Sequence, residues 1–206
     1  MAALGGLSGD KLALTRGGHL LFRDLSFEIS AGETLSVEGP NGAGKTSLLR
    51  SIAGFLELRA GTLTLHTAAG VTVCDPEERA QVIVWLGHQD GIKPQLTPAE
   101  NLSFFARYYG HGDMEQAIDR LGLHRVRDLP VQYLSAGQKK RVSFARLTLI
   151  GRPLWLLDEP LSSLDAAGRT LAAELIAQHC EGGGTVIAAT HEPLGVPCRH
   201  LQLGSA

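Results

Sequence analysis

The sequence contains no apolar run near the roughly 20 residues that a membrane-spanning helix needs. Its opening, MAALGGLSGD, has neither a basic n-region nor a long apolar h-region, so neither a spanning segment nor an export signal is expected. Cysteine is scarce. Cys74, Cys180 and Cys198 are scattered, odd in number and form no CxxC pair, which points to a reducing compartment and away from a zinc site. His200, two residues after Cys198, reads as an ordinary surface neighbour near the chain end. An excess of one charge is also missing: 19 Lys and Arg stand against 21 Asp and Glu, for a net charge of −2. Without a clustered basic excess, nucleic acid is not an expected partner.

What is present is the profile of an ordered globular protein, 44% hydrophobic and 19% charged over 206 residues. That length supports one substantial domain with a small inserted unit. Short apolar strands alternate with helical stretches, which predicts an α/β fold with a mostly parallel sheet. Strands are expected at 12–15, 25–29, 34–39, 61–66, 71–74, 82–86, 154–158 and 185–190. KTSLLRSIAGF carries Leu48, Leu49, Ile52 and Phe55 at helical spacing, and a further helix is expected at 166–179. From Thr97 to about Ile150 the pattern turns helical, opening on a Thr97 N-cap, Pro98 in the first turn and Glu100 completing a capping box.

The densest chemical signal is Gly39-Pro40-Asn41-Gly42-Ala43-Gly44-Lys45-Thr46. It fits G-x-x-x-x-G-K-[ST] between an expected strand and an expected helix, the context a phosphate-binding loop requires. The glycines free backbone N–H groups to face a polyphosphate, and the following helix, with Ser47 in its first turn, adds a favourable dipole. Lys45 is placed to reach the β- and γ-phosphates of a nucleotide and the Thr46 hydroxyl to ligate Mg²⁺. The bland alternative, a Gly-rich turn, is disfavoured by the strand and helix on either side. The apolar strand ending in Asp158-Glu159 puts one carboxylate at a strand tip for Mg²⁺ and the next where it can polarise a water. Such a pair alone could be a solvated turn; beside a phosphate loop it reads as catalytic.

Leu134-Ser135-Ala136-Gly137-Gln138 separates the possible nucleotide-binding classes. Here the chain resembles the ABC ATPase family, whose signature is LSGGQ, and the resemblance extends over nearly the whole sequence. It implies a P-loop NTPase fold of ABC type: a mostly parallel core and an antiparallel β-subdomain over 1–90 and 151–206, with a helical subdomain over about 91–150. It further implies that Gln89 is the Q-loop glutamine, near the catalytic centre and Mg²⁺, that 162–165 form the D-loop, and that His191 is the switch histidine. The signature residues Ser135, Ala136, Gly137 and Gln138, with Asp165, would then face ATP held by a second copy, so a homodimer is implied. Ser135-x-x-Gln138 also reads as a helix capping box, and both readings hold together, because a capped helix N-terminus suits a γ-phosphate.

Two positions depart from the family pattern. Ala136 replaces a glycine, which would cost about 1 kcal/mol only if that backbone needed positive φ. Arg16 stands where these domains usually offer an aromatic ring to adenine; a guanidinium can stack on a purine, or be a surface arginine in a turn.

Glu38 before the P-loop, 87–93 around Gln89, the alanine in LSAGQ and PLWLLDEP are together similar to the ATP-binding subunits of bacterial cytochrome c maturation systems, also called haem exporters. The short stretch after His191 agrees. That resemblance implies a peripheral protein on the cytoplasmic face of the inner membrane, partnered by a membrane-spanning permease-like subunit and haem-handling maturation proteins. Hydrolysis of ATP to ADP and phosphate would power release of a haem chaperone or delivery of haem. Its eight histidines are dispersed and do not suggest a haem site in this chain. Other readings stay open: the motor of another small exporter moving a lipid, drug or ion, or a soluble ABC ATPase acting on ribosomes or DNA, although heptads and a second cassette are missing. Phe104, Phe105, Tyr108 and Tyr109 are candidates either for a partner contact or for the helical unit's own core, with the core favoured for at least two.

Overall fold

The computed structural model describes residues 4–70, 72–73, 76–87 and 91–204. The chain begins with a long antiparallel hairpin, β1 (Leu4–Arg16) and β2 (His19–Ser30), turning at Gly17 and Gly18. Leu7, Leu12, Leu14 and Ile29 point inward from it and are buried. It is extended by β4 (Ala60–Thr67) and β5 (Thr72–Val73) into a four-stranded sheet ordered β2-β1-β4-β5, antiparallel throughout.

The second sheet is five-stranded and parallel. It comprises β3 (Thr34–Glu38), β6 (Ile83–Leu86), β7 (Leu154–Asp158), β8 (Thr185–Ala189) and β9 (Arg199–Gln202) in the order β6-β7-β8-β3-β9. LWLLD and TVIAA are buried at every position, as strands covered on both faces must be. α1 (Lys45–Ile52) follows β3, and α6 (Ala166–Glu181) crosses from β7 to β8. α1 inserts Leu48, Leu49 and Ile52 into a core shared by both sheets.

The helical stretch resolves into α3 (Pro98–Tyr109), α4 (Met114–Arg120), two short 3₁₀ turns and α5 (Ala136–Ile150). The Thr97 capping box is present, with Glu100 N–H donating to Thr97 Oγ1 and Thr97 N–H to the Glu100 carboxylate. α5 is buried almost all round. Its Val142, Phe144, Ala145, Leu147 and Leu149 join Leu102 and Ile118 on one side to Leu157, Leu175 and Ile176 of the sheet layer on the other.

Several expectations need correction. Phe55 is not on the apolar face of α1: the helix ends at Ile52, and Phe55 is 68% exposed, standing edge-on to Trp85. Val82 closes a short helix, α2 (Pro76–Val82), and the strand begins at Ile83. Seven residues are too few to carry a period, so α2 gave no sequence signal. β9 went unread because Arg-His-Leu-Gln on an exposed sheet edge shows no alternation. Val71 and Cys74 of the expected 71–74 strand lie outside the described residues. Cys180 and Cys198 are free thiols, and the described residues hold no cluster of metal-ligating side chains. No helix among the described residues is long and apolar enough to cross a membrane.

Candidate functional site: a phosphate loop and a signature helix

β7, β8 and β3 are neighbours and parallel, so the residues that follow them gather at one sheet edge. After β3 comes the Gly39–Thr46 loop, after β7 Glu159, and just beyond β8 His191. Gly39 has φ 141°, and a Cβ there would collide with the Leu203 carbonyl, so only glycine fits the turn into the loop. Gly44 caps α1, leaving the first-turn N–H groups of Lys45, Thr46 and Ser47 at a helix N-terminus. Pro40, Asn41, Gly42 and Ala43 form the bend between.

Lys45 is 7% exposed, and its ammonium lies 2.8 Å from the Gly39 carbonyl and 3.2 Å from that of Pro40. Those carbonyls hold the lysine across the mouth of its own loop. His191 Nε2 is 2.9 Å from Lys45 Nζ, 2.9 Å from Asn41 Oδ1 and 3.5 Å from Glu159 Oε1. One ring nitrogen cannot accept from Lys45 and donate to Asn41 at once, so the tautomer selects between them. The Thr46 hydroxyl donates to Asp158 Oδ1 at 2.9 Å, with Asp158 only 6% exposed. A hydroxyl and a carboxylate side by side are hard oxygen donors, and this pair fits Mg²⁺ chemistry.

Glu159 has φ 48°, a left-handed conformation costing a non-glycine residue roughly 1 kcal/mol. Backbone bonds on both sides hold it: Glu159 N–H donates to the Ala189 carbonyl at 2.9 Å, and Ser162 Oγ donates to the Glu159 carbonyl at 2.8 Å. The strained residue is thus tied to β8 and to the start of the D-loop. Gln89 lies outside the described residues, so its placement adds nothing here.

Ser135 caps α5 as expected, accepting from Gln138 N–H while the Gln138 side chain accepts from Ser135 N–H. Ala136 is the first helical residue and is not among those with positive φ, so no strain attaches to its methyl. Gly137 is the demanding position, because a Cβ there would sit 2.9 Å from the Ser163 carbonyl. Sequence reasoning missed Arg141, whose guanidinium donates to Asp165 Oδ1 at 2.9 Å while the same oxygen accepts from Gly168 N–H and caps α6. Those two donors hold the Asp165 carboxyl below the usual carboxylate range. No local pattern announces a partner 24 residues away. The signature residues and Asp165 line one outward-facing cleft with Ser163 and Gly122, and no P-loop residue lines it.

Arg16 ends β1, exposed, paired across the turn with His19. The hairpin reaches the phosphate loop through Leu21 and Phe22, which lie against Gly44. The four aromatics of α3 divide evenly. Phe105 and Tyr109 pack inward under Arg146 and Arg152, whereas Phe104 and Tyr108 stack on each other, 57% and 72% exposed.

A phosphate loop on a parallel sheet, an antiparallel side sheet, and a capped signature helix packed on the D-loop define a nucleotide-binding domain of the ABC class. Residues 22–162 match the family described as ABC transporter. The chain is 46% identical over 202 residues to the cytochrome c biogenesis ATP-binding export protein CcmA of Rhodopseudomonas palustris strain BisB5, covering 97% of this chain and 98% of that one. The protein of the same description from Bradyrhizobium diazoefficiens is 45% identical over 201 residues, covering 96% and 98%. Among solved structures, an ATP-binding subunit of an ABC transporter superposes with TM-score 0.76 at 24% identity, over 90% of this chain and 79% of that one. A bacterial Atm1-family ABC exporter with ATP bound gives 0.80 at 21% identity, over 99% of this chain and 38% of the exporter; these two likenesses speak to fold alone. The chain belongs to the ABC transporter family, in its branch of cytochrome c biogenesis ATP-binding export proteins. It is an ATP-hydrolysing subunit of an ABC transporter.

Proposed function

We propose that this subunit drives an exporter of cytochrome c biogenesis and hydrolyses ATP only as a homodimer, each site built from the phosphate loop of one copy and the signature helix of the other. The carrying observation is the signature cleft, whose Ser135, Ala136, Gly137, Gln138 and Asp165 face outward with no P-loop residue among them. A helix N-terminus with a capping serine, presented outward, suits a γ-phosphate brought by a partner.

In this reading residues 39–47 cradle the phosphates of ATP, Lys45 leaves its loop carbonyls for the β- and γ-oxygens, and Arg16 reaches the adenine. Thr46 and Asp158, with Gln89, hold Mg²⁺, which when bound neutralises phosphate charge. Glu159 orients and deprotonates the attacking water, which adds at the γ-phosphorus as the bond to the ADP oxygen breaks. His191 contacts the γ-phosphate from just beyond β8, and its present bond to Lys45 or Asn41 gives way to it. Hydrolysis removes the group that both copies grip, and the dimer opens.

The working units are the two-sheet core, 1–90 with 151–206, and the helical unit, about 91–150. A membrane-spanning permease-like subunit docks on the latter at the exposed Phe104 and Tyr108, placing the dimer peripherally on the cytoplasmic face of the inner membrane. Haem-handling maturation proteins complete the assembly, and the cycle powers haem-chaperone release or haem delivery. Glu159→Gln is the direct test. The variant should bind ATP normally, sediment as a dimer with Mg²⁺ and ATP, and lose turnover by about 10²-fold or more. Near-normal turnover, or a monomer with ATP bound, refutes the scheme. Purification of the tagged chain from membranes should recover a multi-spanning subunit with haem-handling proteins; recovery of ribosomes would overturn the export reading.

A further inference from the structure

The nucleotide groups lie where β3, β7 and β8 end, and a second cleft, of about 410 Å³, opens where β7 and β8 begin. Helical-unit residues form one wall and the sheet layer the other. Arg120, Arg152 and His111 all line it, and none of the described residues lining it is acidic.

Two donors at this cleft lack a partner among the described residues. Trp155, 3% exposed, has its indole Nε1 buried with no acceptor, and so does Nη2 of Arg120. Buried donors are nearly always paired, so two orphans at one basic cleft call for an acceptor that the described residues do not supply. A neutral water would answer a hydrogen bond, but not the accumulated positive charge. On the remaining wall the part-buried His179 covers the Trp155 ring, the two stacked with centroids 4.0 Å apart and planes at 13°. Burial pushes His179 down to about 4, so at neutral pH it adds an uncharged face.

We propose that this cleft binds a compact organic anion, its oxyanion held by Arg120, Arg152 and the Trp155 indole N–H and its apolar body lying along His179. The site is separate from the nucleotide loop, and its occupancy does not depend on hydrolysis. A carboxylate and a phosphate share the required chemistry, and the probes distinguish them.

The chain has two tryptophans, so Trp85→Phe leaves Trp155 as the only indole reporter. With the phosphate loop saturated by ADP, this protein is titrated with benzoate and with inorganic phosphate. A saturable change in Trp155 emission is expected with at least one: benzoate assigns a carboxylate ligand, phosphate alone a phosphorylated one. Arg120→Gln and Arg152→Gln should each weaken that binding about tenfold or more while leaving ATP hydrolysis unchanged. Calorimetric titration of the unsubstituted chain gives the same reading if Trp85→Phe does not fold. No saturable binding of either anion up to tens of millimolar, or binding by both arginine variants as tight as by the protein without those substitutions, overturns the proposal.

Discussion

Acidification should weaken this fold at one identifiable residue, His179. Its ring is sandwiched against Trp155 and its Nε2 lies 3.0 Å from the Pro153 carbonyl. Burial lowers it from 6.5 to about 4. The folded state therefore takes up this proton later than the unfolded chain as pH falls. Its stabilising contribution is complete above about pH 6.5 and is lost progressively between there and about pH 4. A depression of this size corresponds to about 3 kcal/mol in full, of which about 2 kcal/mol disappears between pH 7 and pH 5. Urea melts at the two pH values measure it. With a slope of about 2 kcal/mol per molar, the acid midpoint should fall by about 1 M on this account alone. His179→Gln removes the titration while keeping a donor for Pro153. It will lower stability at neutral pH through lost stacking, but its loss between pH 7 and pH 5 should be smaller than that of the unsubstituted protein by about 2 kcal/mol. Comparing the two differences cancels the other histidines. Equal pH dependence in both proteins would refute the burial argument.

Gly137→Ala must move either α5 or the D-loop, because its Cβ falls 2.9 Å from the Ser163 carbonyl. The overpacking, about 1–3 kcal/mol, outweighs the helix-propensity gain of up to about 1, and turnover should drop about 10- to 100-fold, with ATP affinity in titration unchanged. Ala136→Gly, at an unstrained and exposed position, should stay within a few-fold of normal activity; the reverse ranking would contradict the packing. Mixing Lys45→Ala chains with Ser135→Arg chains should restore hydrolysis that neither has alone, since a mixed dimer retains one sound composite site, and a mixture as inactive as its parts would argue for a self-contained chain. Phe104→Ser with Tyr108→Ser should alter stability by under about 0.5 kcal/mol per site yet abolish recovery of the membrane subunit, which can be read by thermal melts beside affinity purification. Undiminished recovery would move the docking surface elsewhere.

Much of this protein was legible because its chemistry is written in short local patterns. A strand, a glycine loop and a helix in that order dictate where Lys45 and Thr46 stand, and Thr97-x-x-Glu and Ser135-x-x-Gln announce their own helix starts through bonds made within one turn. The short apolar runs LWLL and VIAA within β7 and β8 read as strands covered on both faces. Elements lacking such a signal were not legible: α2 is too short to show a period, and β9 is polar because an edge strand needs no buried face. Phe55 shows the limit of periodicity, which continues its count past the residue where the helix stops.

By itself the sequence determined the class of machine, the phosphate loop and the carboxylates at the end of β7, since each rests on residues adjacent in the chain. Only the tertiary structure decided which distant groups meet. Parallel pairing of β7, β8 and β3 brings Asp158 to Thr46 and His191 to Lys45 and Asn41. Packing of α5 on the D-loop joins Arg141 to Asp165 and makes glycine necessary at 137 and optional at 136. The burial of α3's inner face sorted Phe105 and Tyr109 from Phe104 and Tyr108. These outcomes depend on close approach between segments far apart in the chain, which no local spacing encodes.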